Sequence, residues 1–308
     1  MPDPIYVGID GGGTRTTALA TDASGRELAR AEGAAGIVNA LEPTAGAQAL
    51  AALARSVARR AGATPPASVT AVCCALAGAG RDPERIALET ALGQTGVAER
   101  VRVTTDAEAA LADALDDGPG ILVIAGTGSI AWGRDAQGRT GRAGGWGLVL
   151  GDEGSGYSIG LAALRAVVRA HDGRAPGTAL TAPVLRVTGV AAEEGLVAWA
   201  AGAVKADVGA LAPAVFVAAD AGDEPARAIL ADAGAGLAEH VAALVRRLGP
   251  WPTHTPLAFA GSLIAPGGPL RPWLAAAVTR IAVFQLVERP VDAARGAAAL
   301  ARAIPPAA

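Results

Sequence analysis

Twice in this 308-residue chain an apolar run leads straight into a glycine-rich turn. Ile5 to Asp10 enters Gly11-Gly12-Gly13-Thr14, and Ile121 to Ala125 enters Gly126-Thr127-Gly128-Ser129. Such a turn opens backbone N–H groups to an anion, because no Cβ stands in the way. The first turn also brings the Thr14 hydroxyl and the Arg15 guanidinium. It is not a Walker loop, which needs G-x-x-x-x-G-K-[ST], and it does not open a helix as the dinucleotide fingerprint does; a hairpin follows instead. The plain alternative is a tight structural turn. A second turn of the same kind favours a phosphate gripped from both sides. Asp10, at the end of the first strand, is suited to hold hydrated Mg²⁺, a hard ion that keeps several waters.

The carboxylates that could do chemistry are Asp106, Asp152 and Glu153. Asp106 ends the apolar run Val101 to Thr105, and carboxylates at strand ends of α/β proteins line a crevice. Its plain alternative is to cap a helix starting at Ala107. Gly144-Gly145-Trp146-Gly147 and Gly151-Asp152-Glu153-Gly154-Ser155-Gly156 lie close together. Glycines around one Trp imply a backbone that something approaches closely. Two carboxylates beside an aromatic face suit a polyol such as a sugar, although both acids also precede a helix expected from Tyr157.

These residues need elements to hold them. Strands are expected at Ile5–Asp10, Thr16–Thr21, Glu27–Glu32, Val69–Leu76 and Val101–Thr104, with helices over Thr44–Ala61, from Asp82-Pro83 with Asp82 as N-cap, and over Ala107–Leu115. Asp116-Asp117 and Gly118-Pro119-Gly120 mark a break. The pattern then restarts. Asp22-Ala23-Ser24-Gly25-Arg26 is echoed by Asp135-Ala136-Gln137-Gly138-Arg139, in the same order after each glycine turn. Duplication of a strand–turn–strand–turn–strand unit is the reading adopted here. Helices follow over Tyr157–Ala170, Ala191–Lys205 and Pro225–Leu248, then strands Leu257–Ala260 and Ala282–Leu286 and a last helix Asp292–Ala303. Strands alternating with helices indicate α/β layers. The expected domains are 1–117 and 118–308, the last helix packing back on the first.

Composition excludes other classes. The chain is 51% hydrophobic and 18% charged, which excludes disorder as the main state. Net charge is −3, so no basic excess exists to neutralise nucleic acid. No signal peptide is visible, and five prolines interrupt the charge-free stretch from Leu248 to Leu270, so no membrane association is expected. The only cysteines, Cys73 and Cys74, are adjacent; side chains of strand neighbours face opposite ways, which argues against a disulfide. A reducing cytoplasm fits this.

Taken together, Gly8-Ile9-Asp10-Gly11-Gly12-Gly13-Thr14, Thr104-Thr105-Asp106-Ala107, Gly126-Thr127-Gly128-Ser129, Gly144-Gly145-Trp146-Gly147 and Gly151-Asp152-Glu153-Gly154-Ser155 resemble the sugar kinase/Hsp70/actin superfamily, and within it the N-acetylglucosamine kinase group of the BadF/BadG/BcrA/BcrD ATPase family. The resemblance spans nearly the whole chain. It implies an α/β protein of two RNase H-like (actin-like ATPase) domains with a cleft between them, and ATP-dependent phosphorylation of an amino sugar at its 6-hydroxyl. By position it implies ATP contacts at Gly12, Gly13, Thr14, Arg15, Thr127, Gly128, Gly261 and Ser262, Mg²⁺ at Asp10, and Asp106 as general base. The sugar positions it implies are Asn39, Asp106, Ser129, Ile130, Gly145, Trp146, Gly147 and Asp152. Ile130 departs from the polar residue of the mammalian enzymes. N-acetylglucosamine leads as acceptor, with glucosamine and N-acetylmuramic acid as alternatives, and a homodimer is implied. Two other functions fit less well. An activator of a radical dehydratase would hold an iron–sulfur cluster through cysteines, against which the adjacent pair argues. A sugar-sensing repressor would need a DNA-binding segment ahead of Ile5.

Overall fold

The computed structural model describes residues 3–12, 16–33, 43–63, 69–116, 118–252 and 254–306. The chain divides into two compact units, Met1–Asp117 with Val291–Ala308, and Gly118–Pro290.

The first unit opens with β1 (Tyr6–Gly11), β2 (Thr16–Thr21) and β3 (Glu27–Gly33), an antiparallel meander. After α1 (Pro43–Arg60) come β4 (Val69–Leu76), α2 (Asp82–Gln94), β5 (Ala98–Thr105) and α3 (Asp106–Leu115). The sheet order is β3-β2-β1-β4-β5, with β4 parallel to both β1 and β5. Asp82 is the first residue of α2 rather than its cap. Arg81 holds the cap position without a side-chain bond, and Pro83 falls within the first turn, where its missing N–H costs nothing.

The second unit repeats this plan. It contains β6 (Gly120–Ala125), β7 (Ser129–Arg134) and β8 (Thr140–Gly144), then six helices: α4 (Gly156–His171), α5 (Thr181–Thr188), α6 (Gly195–Gly202), α7 (Lys205–Gly209), α8 (Ala212–Asp220) and α9 (Glu224–Leu248). It closes with β9 (Thr255–Ala260), α10 (Arg271–Val278) and β10 (Phe284–Val287). Its order is β8-β7-β6-β9-β10, with the same pattern of parallel and antiparallel neighbours as the first sheet. The duplication extends to single atoms in the two hairpin turns. Asp22 Oδ1 accepts the Ser24 and Arg26 N–H groups, and Asp135 Oδ1 accepts those of Gln137 and Arg139. In both turns the Asp N–H donates to the Arg carbonyl, and the Gly N–H donates to the Asp carbonyl. These Asx turns are set by local sequence alone.

One expected helix, Ala191–Lys205, is two. Ala203 and Val204 are extended (ψ 133° and 167°), so α6 stops and α7 begins a new helix at Lys205. Length and apolar composition would let α9 cross a bilayer, against the expectation of no such stretch. In this fold Leu230, Leu237, Val241 and Leu244 are buried in the core of the second unit instead.

The chain returns to the first unit as α11 (Ala293–Arg302). Its small-residue face of Ala294, Gly296, Ala297, Ala298 and Ala301 is buried against β1, β4 and α3. The Asp113 carboxylate of α3 accepts Arg295 Nε (2.6 Å) and the Asp292 N–H (2.9 Å).

Cys73 and Cys74 on β4 face opposite sides of the sheet. Cys74 joins Val7, Ile9 and Leu50, whereas Cys73 joins Ala71, Ala109, Ala297 and Ala301. Burial pushes the Cys73 thiol up to about 12 and that of Cys74 well above its ordinary value. Because the thiolate is the nucleophile, the native protein is expected to release no colour from Ellman's reagent, and two equivalents once denatured. Rapid release of one equivalent from native protein would contradict this packing.

Candidate active site

The functional loops of the second unit meet at the C-terminal ends of β6 and β9. The two strands pair in parallel, with Ile124 opposite Ala260, so each glycine turn leaves the sheet beside the other. In the first, the Gly126 N–H donates to Gly128 O at 2.9 Å, closing a tight turn. In the second, Gly261 has φ +87°, and a Cβ there would lie 2.3 Å from the Ala125 carbonyl, so only glycine fits. The Gly156 N–H at the start of α4 donates to Gly126 O (2.7 Å), tying that helix to the same turn. A cavity of about 550 Å³ opens here, lined among others by Gly126, Thr127, Gly156, Gly209, Phe216 and Ser262. The size suits a small-molecule ligand. The lining combines the polar Thr127 and Ser262 with the apolar Phe216, Leu263 and Pro269.

Ser129 begins β7 and is buried. Its N–H donates to Asp152 Oδ1 (3.1 Å) and its hydroxyl to Glu153 O (2.7 Å). The Asp152 carboxylate is thus engaged within its own unit, and its Oδ2 also pairs with Lys205 Nζ at 2.6 Å. Asp152 holds φ +63°, a conformation non-glycine residues rarely adopt, which these bonds maintain. Glu153 reaches His240 on α9 (3.2 Å). Ile130 packs beneath Gly145, which explains an apolar residue at that position: it supports the turn. Above it, Arg142 donates to Gly144 O and Gly145 O and lies 4.7 Å over the Trp146 ring. Trp146 is 64% exposed, a flat apolar surface braced on one side by a guanidinium.

In the first unit, Asp10 lies next to the end of β1, in register with Ala75 on β4, which faces Thr104 on β5. Asp10 and Asp106 therefore leave the same end of one sheet, two strands apart, roughly 10 Å in the sheet plane. Thr105, not Asp106, caps α3: its side chain accepts the Glu108 N–H. That leaves Asp106 Oδ1 with the Ala107 N–H (2.8 Å), an adjacent contact that does not substitute for capping. Burial raises the Asp106 carboxyl above its ordinary value, more than the Ala107 bond lowers it. A partly buried carboxylate with a raised pKa at a strand end has the character of a general base.

The structure brings Gly126, Thr127, Gly128, Gly261 and Ser262 together, and Ser129, Ile130, Gly145, Trp146, Gly147 and Asp152 around the adjoining loops. Asp10, Gly12 and Asp106 stand in the first unit. Gly13, Thr14, Arg15 and Asn39 lie outside the described residues. Sequence reasoning missed Lys205, Gly209, Phe216, Leu263 and Pro269. Only Lys205 carried a signal, as the one lysine of the chain.

The family model for the BadF/BadG/BcrA/BcrD ATPase family matches residues 7–301, and the chain belongs to that family. The N-acetyl-D-glucosamine kinase of Dictyostelium discoideum is 32% identical over 260 residues, covering 81% of this chain and 82% of that one. The N-acetylmuramic acid/N-acetylglucosamine kinase of Clostridium acetobutylicum is 36% identical over 197 residues, 63% of this chain and 64% of that one. Among solved structures, a candidate N-acetylglucosamine kinase from Chromobacterium violaceum superposes with a TM-score of 0.78 at 32% identity, covering 97% of this chain and 99% of that one.

Proposed function

We propose that this protein is an ATP-dependent amino sugar kinase that phosphorylates the 6-hydroxyl of N-acetylglucosamine. The observation that carries the reading is the cavity at the ends of β6 and β9, lined by two glycine turns and the start of α4, in a chain whose relatives are named as kinases of this sugar. Adenosine occupies the side formed by Gly209, Phe216, Leu263 and Pro269, next to Gly261 and Ser262. The phosphates run toward Gly126, Thr127 and Gly128, and the family resemblance assigns Gly12, Gly13, Thr14 and Arg15 to the same phosphates.

Mg²⁺ is a hard ion that keeps several waters, so one carboxylate together with phosphate oxygens is enough to hold it. Asp10 would be that carboxylate, and the ion, when bound, would supply charge neutralisation at the phosphates.

The sugar lies against Trp146, with Gly145, Gly147, Ile130 and Ser129 around it, and the family resemblance assigns Asn39 to the same ligand. Asp152 acts on it by fixing Ser129. The Asp106 carboxylate accepts the 6-hydroxyl proton as that oxygen bonds to the γ-phosphorus. The bond from phosphorus to the β,γ-bridging oxygen breaks, and ADP leaves with that electron pair. Phosphoryl transfer asks for positioning and electrostatic stabilisation more than covalent chemistry. A homodimer and a cytoplasmic setting belong to the same proposal. Neither thiol reaches the surface to bind an iron–sulfur cluster, which disfavours the dehydratase-activator reading.

An ADP-release assay over N-acetylglucosamine, glucosamine and N-acetylmuramic acid tests the acceptor. Release is expected to depend on sugar, with the highest kcat/KM for N-acetylglucosamine. A preference for either of the others would reassign the acceptor, and release independent of every sugar would refute the kinase reading.

A further inference from the structure

Lys205 stands out twice. It is the sole lysine among 26 Lys and Arg residues, and it opens α7 at the rim of the cavity, whose lining includes its neighbours Ala206 and Gly209. Its ammonium lies 2.6 Å from Asp152 Oδ2 and presses on the glycine turn: a Cβ on Gly128 would stand 2.8 Å from Nζ. The carboxylate is nearly sealed, at 4% side-chain exposure, whereas the lysine keeps 33%. An ammonium has three N–H donors, and among the described residues Asp152 is the one acceptor it bonds. Nζ therefore sits against Gly128 of the turn with donors left over.

We propose that Lys205 is a nucleotide-phosphate ligand of this site. The inference rests on the ATP reading given above and adds to it a residue and a role. Asp152 holds the ammonium against Gly128, so the charge is in place before the nucleotide arrives. A phosphate seated on the turn amides then takes the open N–H donors without releasing Asp152. The pair thereby couples three parts: Asp152 fixes the Ser129 N–H, Lys205 fixes Asp152, and the phosphate fixes Lys205. The residue type matters. An ammonium is a compact point charge that can nest against Gly128, whereas a guanidinium can still pair with Asp152 but spreads its donors in a wide planar fork.

A single lysine gives a single side-chain signal, so the test needs no substitution. Protein grown with lysine labelled at Cε is titrated with a non-hydrolysable ATP analogue and, separately, with adenosine, while backbone amides of Thr127 and Gly209 report occupancy. The analogue is expected to shift the Lys205 signal, and adenosine to shift the two amides but not Lys205. Occupancy by the analogue with an unmoved Lys205 signal would overturn the proposal and leave the kinase reading standing. Failure of the analogue to move the amides would overturn both. A second arm uses Lys205→Arg, which keeps the charge opposite Asp152. Its KM for ATP is expected to rise about 10- to 100-fold, the worth of a hydrogen bond to a charged group, with KM for the sugar unchanged. Unchanged KM for ATP, or an equal rise in both KM values, would show that Lys205 only braces Asp152.

Discussion

Asp106→Asn is expected to lower kcat by roughly 10²- to 10⁴-fold, the usual worth of a positioned general base, while the melting temperature stays level or rises. The loss follows from removing the one acceptor for the 6-hydroxyl proton. The stability result follows from linkage. Burial holds the Asp106 carboxyl above its ordinary 3.8, so the folded chain binds this proton more tightly than the unfolded chain does. Its contribution to stability is therefore full below the ordinary carboxyl range and is lost as pH rises through the raised value. At neutral pH the ionised group is a net cost, and the neutral amide removes it. The cap is not disturbed, because Thr105 supplies it. The same raised pKa predicts that kcat/KM falls on the acid side as Asp106 takes a proton, with an apparent pKa above 3.8. Steady-state kinetics and a thermal melt check both parts. Near-normal kcat, or a cooperative loss of stability, would remove Asp106 from the role of base.

Arg295→Ala is expected to cost about 1–3 kcal/mol in urea unfolding, the scale for losing hydrogen bonds to a buried charged group whose partner is itself half exposed. Asp113 is 4% exposed, and Arg295 is its counterion at 2.6 Å. Truncating the arginine leaves the buried carboxylate with the Asp292 N–H but without its counterion. Truncating Asp113 is milder, because the Arg295 side chain is half exposed and can be solvated. Arg295→Met combined with Asp113→Leu should recover most of the loss. These residues fasten α11 to α3 and so hold the helix that packs on the strand bearing Asp10. A cost below about 1 kcal/mol, the surface ion-pair range, would mean that this fastening is not built on the pair.

The parts of the fold legible in the sequence are those fixed by local chemistry. Asp22 and Asp135 specify their turns through bonds to residues two and four positions on, so each hairpin could be recognised from five residues. β4 was legible as an apolar run interrupted only by Thr70, as expected of a strand buried on both faces. The helical excursion between β8 and β9 was less so. The stretch Ala212–Asp220 is apolar with scarcely a polar interruption, so neither helical nor strand periodicity stands out, and α5 and α10 are likewise short. The break at Ala203-Val204 left no Pro in the sequence, so α6 and α7 read as one helix. The site followed the same division. Glycine turns and strand-end carboxylates announce themselves, but the far wall of the cavity is assembled from α7, α8 and the loop after β9. Lys205 meets Asp152 across 53 residues, a pairing that only the fold makes visible.

The most direct test is to incubate the purified protein with Mg²⁺, ATP and N-acetylglucosamine and to follow the reaction by phosphorus NMR with proton correlation. One ADP should form for each new phosphate ester, and the ester phosphorus should correlate with the two protons on C6 of the sugar. Inorganic phosphate in place of an ester, or an ester at any other carbon, would contradict the account.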